Sequence, residues 1–209
     1  MTSINGAEGI TPDIPSFSDV ERYHGHTCPG IIFGYRMSIL AMSKLAITNG
    51  DDFIVIGETG RCPVDAVQVV TGCTIENGRL TVFDVGKSAF TYINRKSGQA
   101  LRIWVKPEIE ISNINPRWDK LRKKLASSEA TKEEAEEYDQ INRNVADTLM
   151  EMTDEDMLIV RRAVVRIPAT EKSEGFVICS DCGEKLARSR SVEIEGTTCC
   201  IPCSMREHN

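Results

Sequence analysis

The last part of the sequence carries two Cys-x2-Cys pairs, Cys179 with Cys182 and Cys200 with Cys203, separated by seventeen residues. Four cysteines at this spacing suit one tetrahedral zinc ion, and each pair can form a tight turn whose backbone N–H groups point at the sulfurs. Because a segment of this length cannot build an adequate apolar core, metal binding must supply much of its folding free energy. We therefore predict a small treble-clef or ribbon-like zinc finger over residues 169–209.

Two alternatives accompany this interpretation of the tail. Cys199 directly precedes Cys200 and could exchange places with it as a ligand, although only Cys200 preserves the two-residue spacing. Two disulfides would use the same cysteines, but in an intracellular chain the grouping favours metal ligation. Residues 170–209 hold five Lys and Arg against seven Asp and Glu, which favours a structural or protein-facing finger over one that binds nucleic acid.

The preceding 168 residues contain three further cysteines, two of which, Cys28 and Cys62, are each followed directly by proline and then by an apolar run. Proline suits the first turn of a helix, so each cysteine is predicted at a helix N-cap. There the free backbone N–H groups and the helix dipole favour the thiolate, which is the form that attacks and that ligates metals. His24 and His26 lie within four residues of the first cysteine. We predict that both cysteines and at least one of these histidines meet in one cleft, as a reactive site or a second metal site.

Three more polar residues belong to this hypothesis. Asp65 and Gln68 lie three residues apart in the second of these helices, so they share a face and could orient a ligand or a histidine N–H. Lys87 follows a strand and could bind an anionic or carbonyl group, or could simply be a solvated turn lysine.

The secondary-structure signals predict an α+β fold in residues 1–168, with an antiparallel sheet packed against helices. The central helix is expected from Pro29 to about Thr48, because it carries only two charges. Asn77-Gly78 predicts one β-hairpin, and Arg95-Lys96-Ser97-Gly98 predicts a second between Ala89–Asn94 and Gln99–Lys106. Two charged amphipathic helices follow, the second of which begins with a Thr131/Glu134 capping box.

The net charge of -6 and the isoelectric point near 5.2 argue against a protein that works by neutralising phosphates, so nucleic acid is not an expected partner. We find no signal-peptide pattern and no apolar segment free of charges that could span a membrane. We therefore expect a cytoplasmic protein with no membrane partner.

Four motifs carry a family resemblance. They are His-Gly-His-Thr-Cys-Pro-Gly at 24–30, Cys-Pro-Val-Asp-Ala-Val-Gln at 62–68, Thr-Gly-Cys-Thr at 71–74 and Asp-Val-Gly-Lys at 84–87. Their order over about residues 17–106 resembles the FmdE family, which is named for a component of formylmethanofuran dehydrogenase. The Cys-x2-Cys-Gly-Glu opening of the tail resembles the zinc finger of many members. The shared motif positions are His24, His26, Cys28, Cys62, Asp65, Gln68, Cys73, Asp84 and Lys87. Pro63 departs from the small residue expected there and changes how the second cysteine is presented.

The resemblance implies a homodimeric α+β core whose cysteine and histidine motifs line a cleft near the dimer interface. The parent complex of the family is a molybdenum or tungsten enzyme that reduces carbon dioxide onto methanofuran. We therefore expect metal- or thiol-dependent C1 or redox chemistry in an oxidoreductase subunit or a relative of one. The alternative is a non-catalytic adapter or regulator that docks a protein partner through its zinc finger, with a structural metal in the core.

Overall fold

The computed structural model describes residues 14–47, 52–165, 175–194 and 196–205. The chain divides into two compact units, Met1–Val165 and Arg166–Asn209. The domain boundary expected at residue 168 lies outside the described residues. Within the described ranges, none of the helices is both long and apolar enough to cross a membrane.

The first unit alternates helices with short strands. Its elements, in chain order, are α1 (Phe17–His24), α2 (Pro29–Lys44), β1 (Phe53–Gly57), α3 (Pro63–Thr71), β2 (Leu80–Val82), β3 (Ala89–Asn94), β4 (Ala100–Val105), α4 (Ile111–Ile114), α5 (Trp118–Ala126), α6 (Lys132–Glu151), α7 (Asp154–Met157) and β5 (Leu158–Arg162). This composition confirms the α+β class predicted from the sequence.

The strands form a sheet in the order β2-β1-β3-β4-β5. The neighbours β1–β3, β3–β4 and β4–β5 are antiparallel. Alternate residues of the strands, including Val55, Phe90, Tyr92 and Ile103, join one buried cluster with residues of α2, α3 and α6. The helices therefore cover one face of the sheet, and the intervening residues point to the other face.

The predicted central helix is α2, which begins at Pro29 with Cys28 as its N-cap. Much of its length is buried, including Ile31, Ile32 and Met37, as its low charge predicts. The helix ends at Lys44, with Leu45 as its C-cap, four residues before the expected end at Thr48. Ala46 then adopts a positive φ of 49°, a conformation that ends the helix.

The prediction of a β-hairpin at Asn77-Gly78 is wrong. The turn itself forms, since Gly78 has φ +70° and the Asn77 side chain accepts a hydrogen bond from the Thr74 backbone N–H. The residues before the turn do not form a strand, although the N–H groups of Arg79 and Leu80 donate to the Thr74 carbonyl oxygen. The strand after the turn, β2, pairs in parallel with β1 instead. Parallel neighbours need a crossover connection, and α3 provides it, so β1, α3 and β2 form a β-α-β unit. The hairpin between β3 and β4 is confirmed.

The two charged helices pack against each other as α5 and α6, and the predicted Thr131/Glu134 capping box is present. Arg36 on α2 joins the C-terminal end of α6 to the core. Its guanidinium donates to the backbone oxygens of Leu149, Met150 and Met152 and to the Asp154 carboxylate. Because these carbonyls end a helix and lack helical partners, the arginine both satisfies them and complements the helix dipole.

Over residues 175–194 and 196–205, the second unit contains two short hairpins, a 3-10 turn at Arg188–Arg190 and one helical turn. Its elements are β6 (Phe176–Ile178), β7 (Lys185–Ala187), β8 (Ser191–Ile194), β9 (Thr197–Cys200) and α8 (Ile201–Ser204). Pairing is antiparallel within β6–β7 and within β8–β9. This order of elements matches the treble-clef pattern, in which a turn with two cysteines and a hairpin are followed by a helix that starts at a second cysteine pair.

Candidate metal centres

The two Cys-Pro helix starts meet because glycines on α2 let α3 approach closely. A Cβ atom on Gly34 would overlap the Pro63 carbonyl oxygen and would lie 2.9 Å from the Ala66 Cβ. A Cβ atom on Gly30 would lie 2.8 Å from the Cys62 Cβ. Such contacts are shorter than van der Waals distances, so only glycine fits at either position. The absence of these two side chains brings Cys62 next to the N-terminus of α2.

Three ligand atoms converge at this junction. One nitrogen of His24 and the sulfurs of Cys28 and Cys62 all lie within 4.8 Å of one another. Cys28 is buried, whereas His24 and Cys62 are half-buried. Two thiols and an imidazole are ligands that zinc and related transition metals prefer. The predicted convergence of both cysteines with a histidine is therefore observed.

The orientation of His24 is fixed by Asp65. His24 is the last residue of α1, and its Nδ1 lies 2.7 Å from Oδ2 of Asp65 in the first turn of α3. The other ring nitrogen, Nε2, lies 3.7 Å from the Cys28 sulfur. A carboxylate that accepts from Nδ1–H leaves the Nε2 lone pair directed at the cysteines, which is the usual support of a metal-binding histidine. Asp65 thus orients a histidine, as one of its two predicted roles requires.

The two thiols divide the negative charge unequally. A hydrogen bond from Cys28, together with the charge of His24, lowers the pKa of Cys62 to about 5, against the effect of burial. The pKa of Cys28 is raised, because its proton is held by Cys62 and because the side chain is buried. Backbone N–H groups of Ile31 and Gly30 do act on the Cys28 sulfur, as its N-cap position predicts, but they do not outweigh the neighbouring thiolate. Full ionisation of both sulfurs therefore needs a cation between them.

Other residues predicted for the core site lie outside this group. His26 is exposed, with its ring centroid 4.4 Å from that of His24. Gln68 is half-buried on α3, one turn after Asp65, and Lys87 is exposed before β3 in a groove beside Arg102. Their assignment to catalysis stays a prediction.

The remaining motif positions, Cys73 and Asp84, have local roles. The Cys73 sulfur is fully buried and donates to the Phe53 carbonyl oxygen at 3.6 Å. Asp84 is exposed and accepts from the Gly86 N–H in its own turn.

The sequence reasoning missed a contribution of the charged helix pair to the surroundings of the site. Burial is the main cause that raises the pKa of Tyr138 on α6, and Cys28 and Cys62 add to the rise only through longer-range electrostatics. Behind it, Trp118 Nε1 donates to Oδ1 of the buried Asn142 at 2.8 Å. The apolar stripe of α6 predicted that Tyr138 faces inward, and its ring packs beside that of Trp118, with the two centroids 6.0 Å apart.

The tail contains the second cluster. The sulfurs of Cys179, Cys182, Cys200 and Cys203 lie within 4.8 Å of one another. Cys200 is the N-cap of α8 and Cys203 lies in that helical turn, while Cys179 and Cys182 lie at the turn after β6. This arrangement brings together the four cysteines that the sequence spacing predicted.

Cys199 does not belong to this cluster. It precedes Cys200 on β9 and is buried, and successive residues of a strand point to opposite faces. The structure thus favours Cys200 over Cys199 as the fourth ligand. Backbone N–H groups of Cys182 and Cys200 point at the Cys179 sulfur and lower its pKa to about 6. The Cys200 N–H lies 3.3 Å from that sulfur.

Fold and sites together define an α+β protein with a group of two cysteines and one histidine in its core and a group of four cysteines in its tail. The family model for FmdE, described by the words molybdenum formylmethanofuran dehydrogenase operon, matches residues 23–159. This match covers more than half of the chain, which therefore belongs to the FmdE family. The tail lies outside the matched residues.

Two individual proteins are similar to this chain. A probable S-adenosyl-L-methionine-binding protein of Archaeoglobus fulgidus is 29% identical over 184 residues, covering 81% of this chain and 48% of its own length. The chain thus spans about half the length of that relative. A tungsten formylmethanofuran dehydrogenase FmdE-like protein from Syntrophus aciditrophicus has a similar structure, with a TM-score of 0.51, 22% identity and coverage of 90% of this chain and 89% of its own. At this identity the likeness concerns the fold.

Proposed function

We propose that the core site binds one divalent transition metal through Cys28 Sγ, Cys62 Sγ and His24 Nε2. The proposal rests on the convergence of these three atoms within 4.8 Å, with Asp65 holding the imidazole. Three protein ligands leave a fourth tetrahedral position open, which is characteristic of catalytic zinc sites rather than structural ones. A cation there also accounts for two adjacent thiols that cannot both ionise alone.

The chemistry that such a site supports is metal- or thiol-dependent. A metal with an open position would polarise a carbonyl or activate a bound thiol or water. His26 and Gln68 remain candidates for contacts to the substrate, whereas Lys87 lies in the groove beside Arg102. We infer a role in C1 or redox chemistry, as an oxidoreductase subunit of the formylmethanofuran dehydrogenase type.

The test is metal content after removal and reconstitution with zinc. We expect two metals per chain in the unmodified protein and one in Cys62→Ser, because the core site loses a thiolate. Cys73→Ala serves as the matched control, since Cys73 is a buried cysteine outside both clusters, and we expect it to keep both metals. Two metals per chain in Cys62→Ser, or one in the unmodified protein, would refute the core site.

We propose zinc for the tail, where four thiolates at tetrahedral spacing form a closed site. The abundance of unpaired thiols in two metal-binding groupings also favours the cytoplasm as the compartment. The Archaeoglobus relative is a longer protein, and its ligand is not proposed for this chain.

We also propose a homodimer, as the family resemblance implies. Exposed apolar side chains on the first unit, among them Tyr23, Ile75, Phe83 and Val85, offer surface that association could bury. Light scattering is expected to give twice the chain mass of 23.2 kDa. A mass of one chain at micromolar concentration would contradict this expectation.

A second candidate function is a non-catalytic adapter that docks a protein partner through the tail. One observation favours it, namely that the small second unit exposes several large apolar side chains, Phe176, Ile178, Val192, Ile194, Ile201 and Met205. Such side chains often mark a protein interaction surface. In this case the core metal would be structural and closed.

The two candidates differ in the coordination of the core metal. In cobalt-substituted protein, added azide is expected to change the visible spectrum if the core site has an open position, and the change should be absent in Cys62→Ser. The four-cysteine tail site is closed and should not respond. A spectrum insensitive to azide would favour the adapter.

A further inference from the structure

The face of the sheet opposite the helices carries two arginines directly across from each other. Arg102 of β4 is the register partner of Arg161 of β5. Both guanidiniums lie over the ring of Trp104, at 4.7 and 5.5 Å from its centroid. Like charges in directly opposed positions destabilise a sheet unless an anion compensates them. The indole holds both guanidiniums in place, so the charge is concentrated and preorganised.

One carboxylate compensates only part of this charge. Glu58 accepts two hydrogen bonds from Arg102, at 2.5 and 2.8 Å. In the described part of the chain, Arg161 forms no ion pair, whereas Arg102 pairs with Glu58. Lys87 lies close enough that its charge contributes to lowering the pKa of Glu58. Three cations and one anion leave a charge of +2 here, in a chain whose net charge is -6.

A groove lies beside these charges. Its volume is about 410 Å³, and it is lined by Lys87, Ser88, Ala89, Arg102, Trp104 and Val105. The Lys87 ammonium and Ser88 hydroxyl are exposed there as further hydrogen-bond donors. The groove therefore combines a small volume, a fixed guanidinium and unpaired positive charge.

Arg161 does not line the groove itself but lies over the ring of Trp104, which does. We propose that this groove binds a small molecule through a doubly charged oxyanion, with Arg102 and Lys87 as the cations that line it and Arg161 reaching the anion from beside Trp104. A charge of -2 matches the excess, and guanidiniums bind carboxylate and phosphate oxygens through paired hydrogen bonds. Phosphate monoesters and dicarboxylates share this chemistry. The site is separate from the metal centres and does not depend on their occupancy.

Two probes distinguish the two classes of ligand: inorganic phosphate stands for a phosphate monoester and malonate for a dicarboxylate. The chain has two tryptophans, so Trp118→Phe leaves Trp104 as the only one, and its emission reports on the groove. Titration calorimetry on the unmodified chain gives a second measurement. We expect saturable binding of at least one probe at concentrations up to about 10 mM, the range of a weak single-group ligand. The stronger probe identifies the class of anion, and binding of neither would overturn the proposal.

The decisive variant is Arg161→Gln, because Arg161 is exposed and its removal should not affect folding. We expect about a tenfold weaker affinity, since a charge-assisted hydrogen bond contributes about 1.5 kcal/mol or more. Arg162→Gln is the matched control. It removes the same charge from the next residue of β5, which pairs with Leu101 and points to the opposite face, and we expect less than about a twofold change by the same conversion. If the two variants weaken the affinity for the anion equally, only the net charge of the chain matters, and the proposed site is refuted.

Discussion

Replacing Gly34 with alanine is expected to destabilise the first unit and to abolish the core metal site. The new methyl group would overlap the Pro63 carbonyl oxygen, which is backbone and cannot rotate away. Alanine gains about 1 kcal/mol of helix propensity over glycine, whereas forced overpacking costs roughly 1–3 kcal/mol and occasionally more. The steric cost should dominate at so short a contact. To relieve it, α3 must move away from α2, which carries Cys62 away from Cys28 and His24.

Urea unfolding followed by tryptophan emission measures the first effect, because both tryptophans lie in the first unit. We expect a loss of about 1–2 kcal/mol in the free energy of unfolding, the upper part of the balance of the two terms above, because the contact is so short. Metal content should fall to that of Cys62→Ser. The control is Ser43→Ala, which adds helix propensity on an exposed position of the same helix. An alanine at residue 34 that leaves stability and core metal unchanged would show that the two helices do not need this close contact.

This dependence on Gly34 explains which parts of the site could be predicted. The Cys-Pro pairs fixed the helix starts, because proline at the first helical position acts locally. They could not place two cysteines 34 residues apart in the chain next to each other. That distance depends on how closely α2 and α3 pack. Gly30 and Gly34 are four residues apart and so share one face of α2. This spacing indicates that another helix packs closely there, but the prediction was based on the repeated cysteine motif instead.

The fold was predictable to a similar extent and for a similar reason. Turn chemistry identified the β3–β4 hairpin, and the capping box marked the start of α6. Asn77-Gly78 predicted a turn correctly, but a turn does not specify its partner strand. β1 offers a free edge to β2 after the α3 crossover, and this pairing between distant segments determines the topology.

The tail presents the opposite case, because its metal site is local and its fold depends on that site. Among the residues of the second unit that the structure describes, the buried cluster consists of Cys179, Cys199 and Cys203, with Leu186 and Cys200 packed against it. The apolar core is thus made almost entirely of cysteines, most of them members of the metal-binding group. Structural zinc in small fingers contributes about 10–16 kcal/mol of apparent binding free energy, far more than so small a core can supply.

Removing the tail metal is therefore expected to unfold the second unit and leave the first one folded. In a Cys179→Ser, Cys200→Ser double variant, amide hydrogens of β6 to β9 should exchange at rates close to those of an unfolded chain. Amides of β3 and β4 should keep their protection, because contacts divide the chain into two compact units. Cys199→Ser is the matched control, and it should keep both the metal and the protection, because Cys199 lies outside the four-sulfur group. Protected amides in a metal-free tail would show that the hairpins fold without it, while loss of the metal in Cys199→Ser would make Cys199 a ligand.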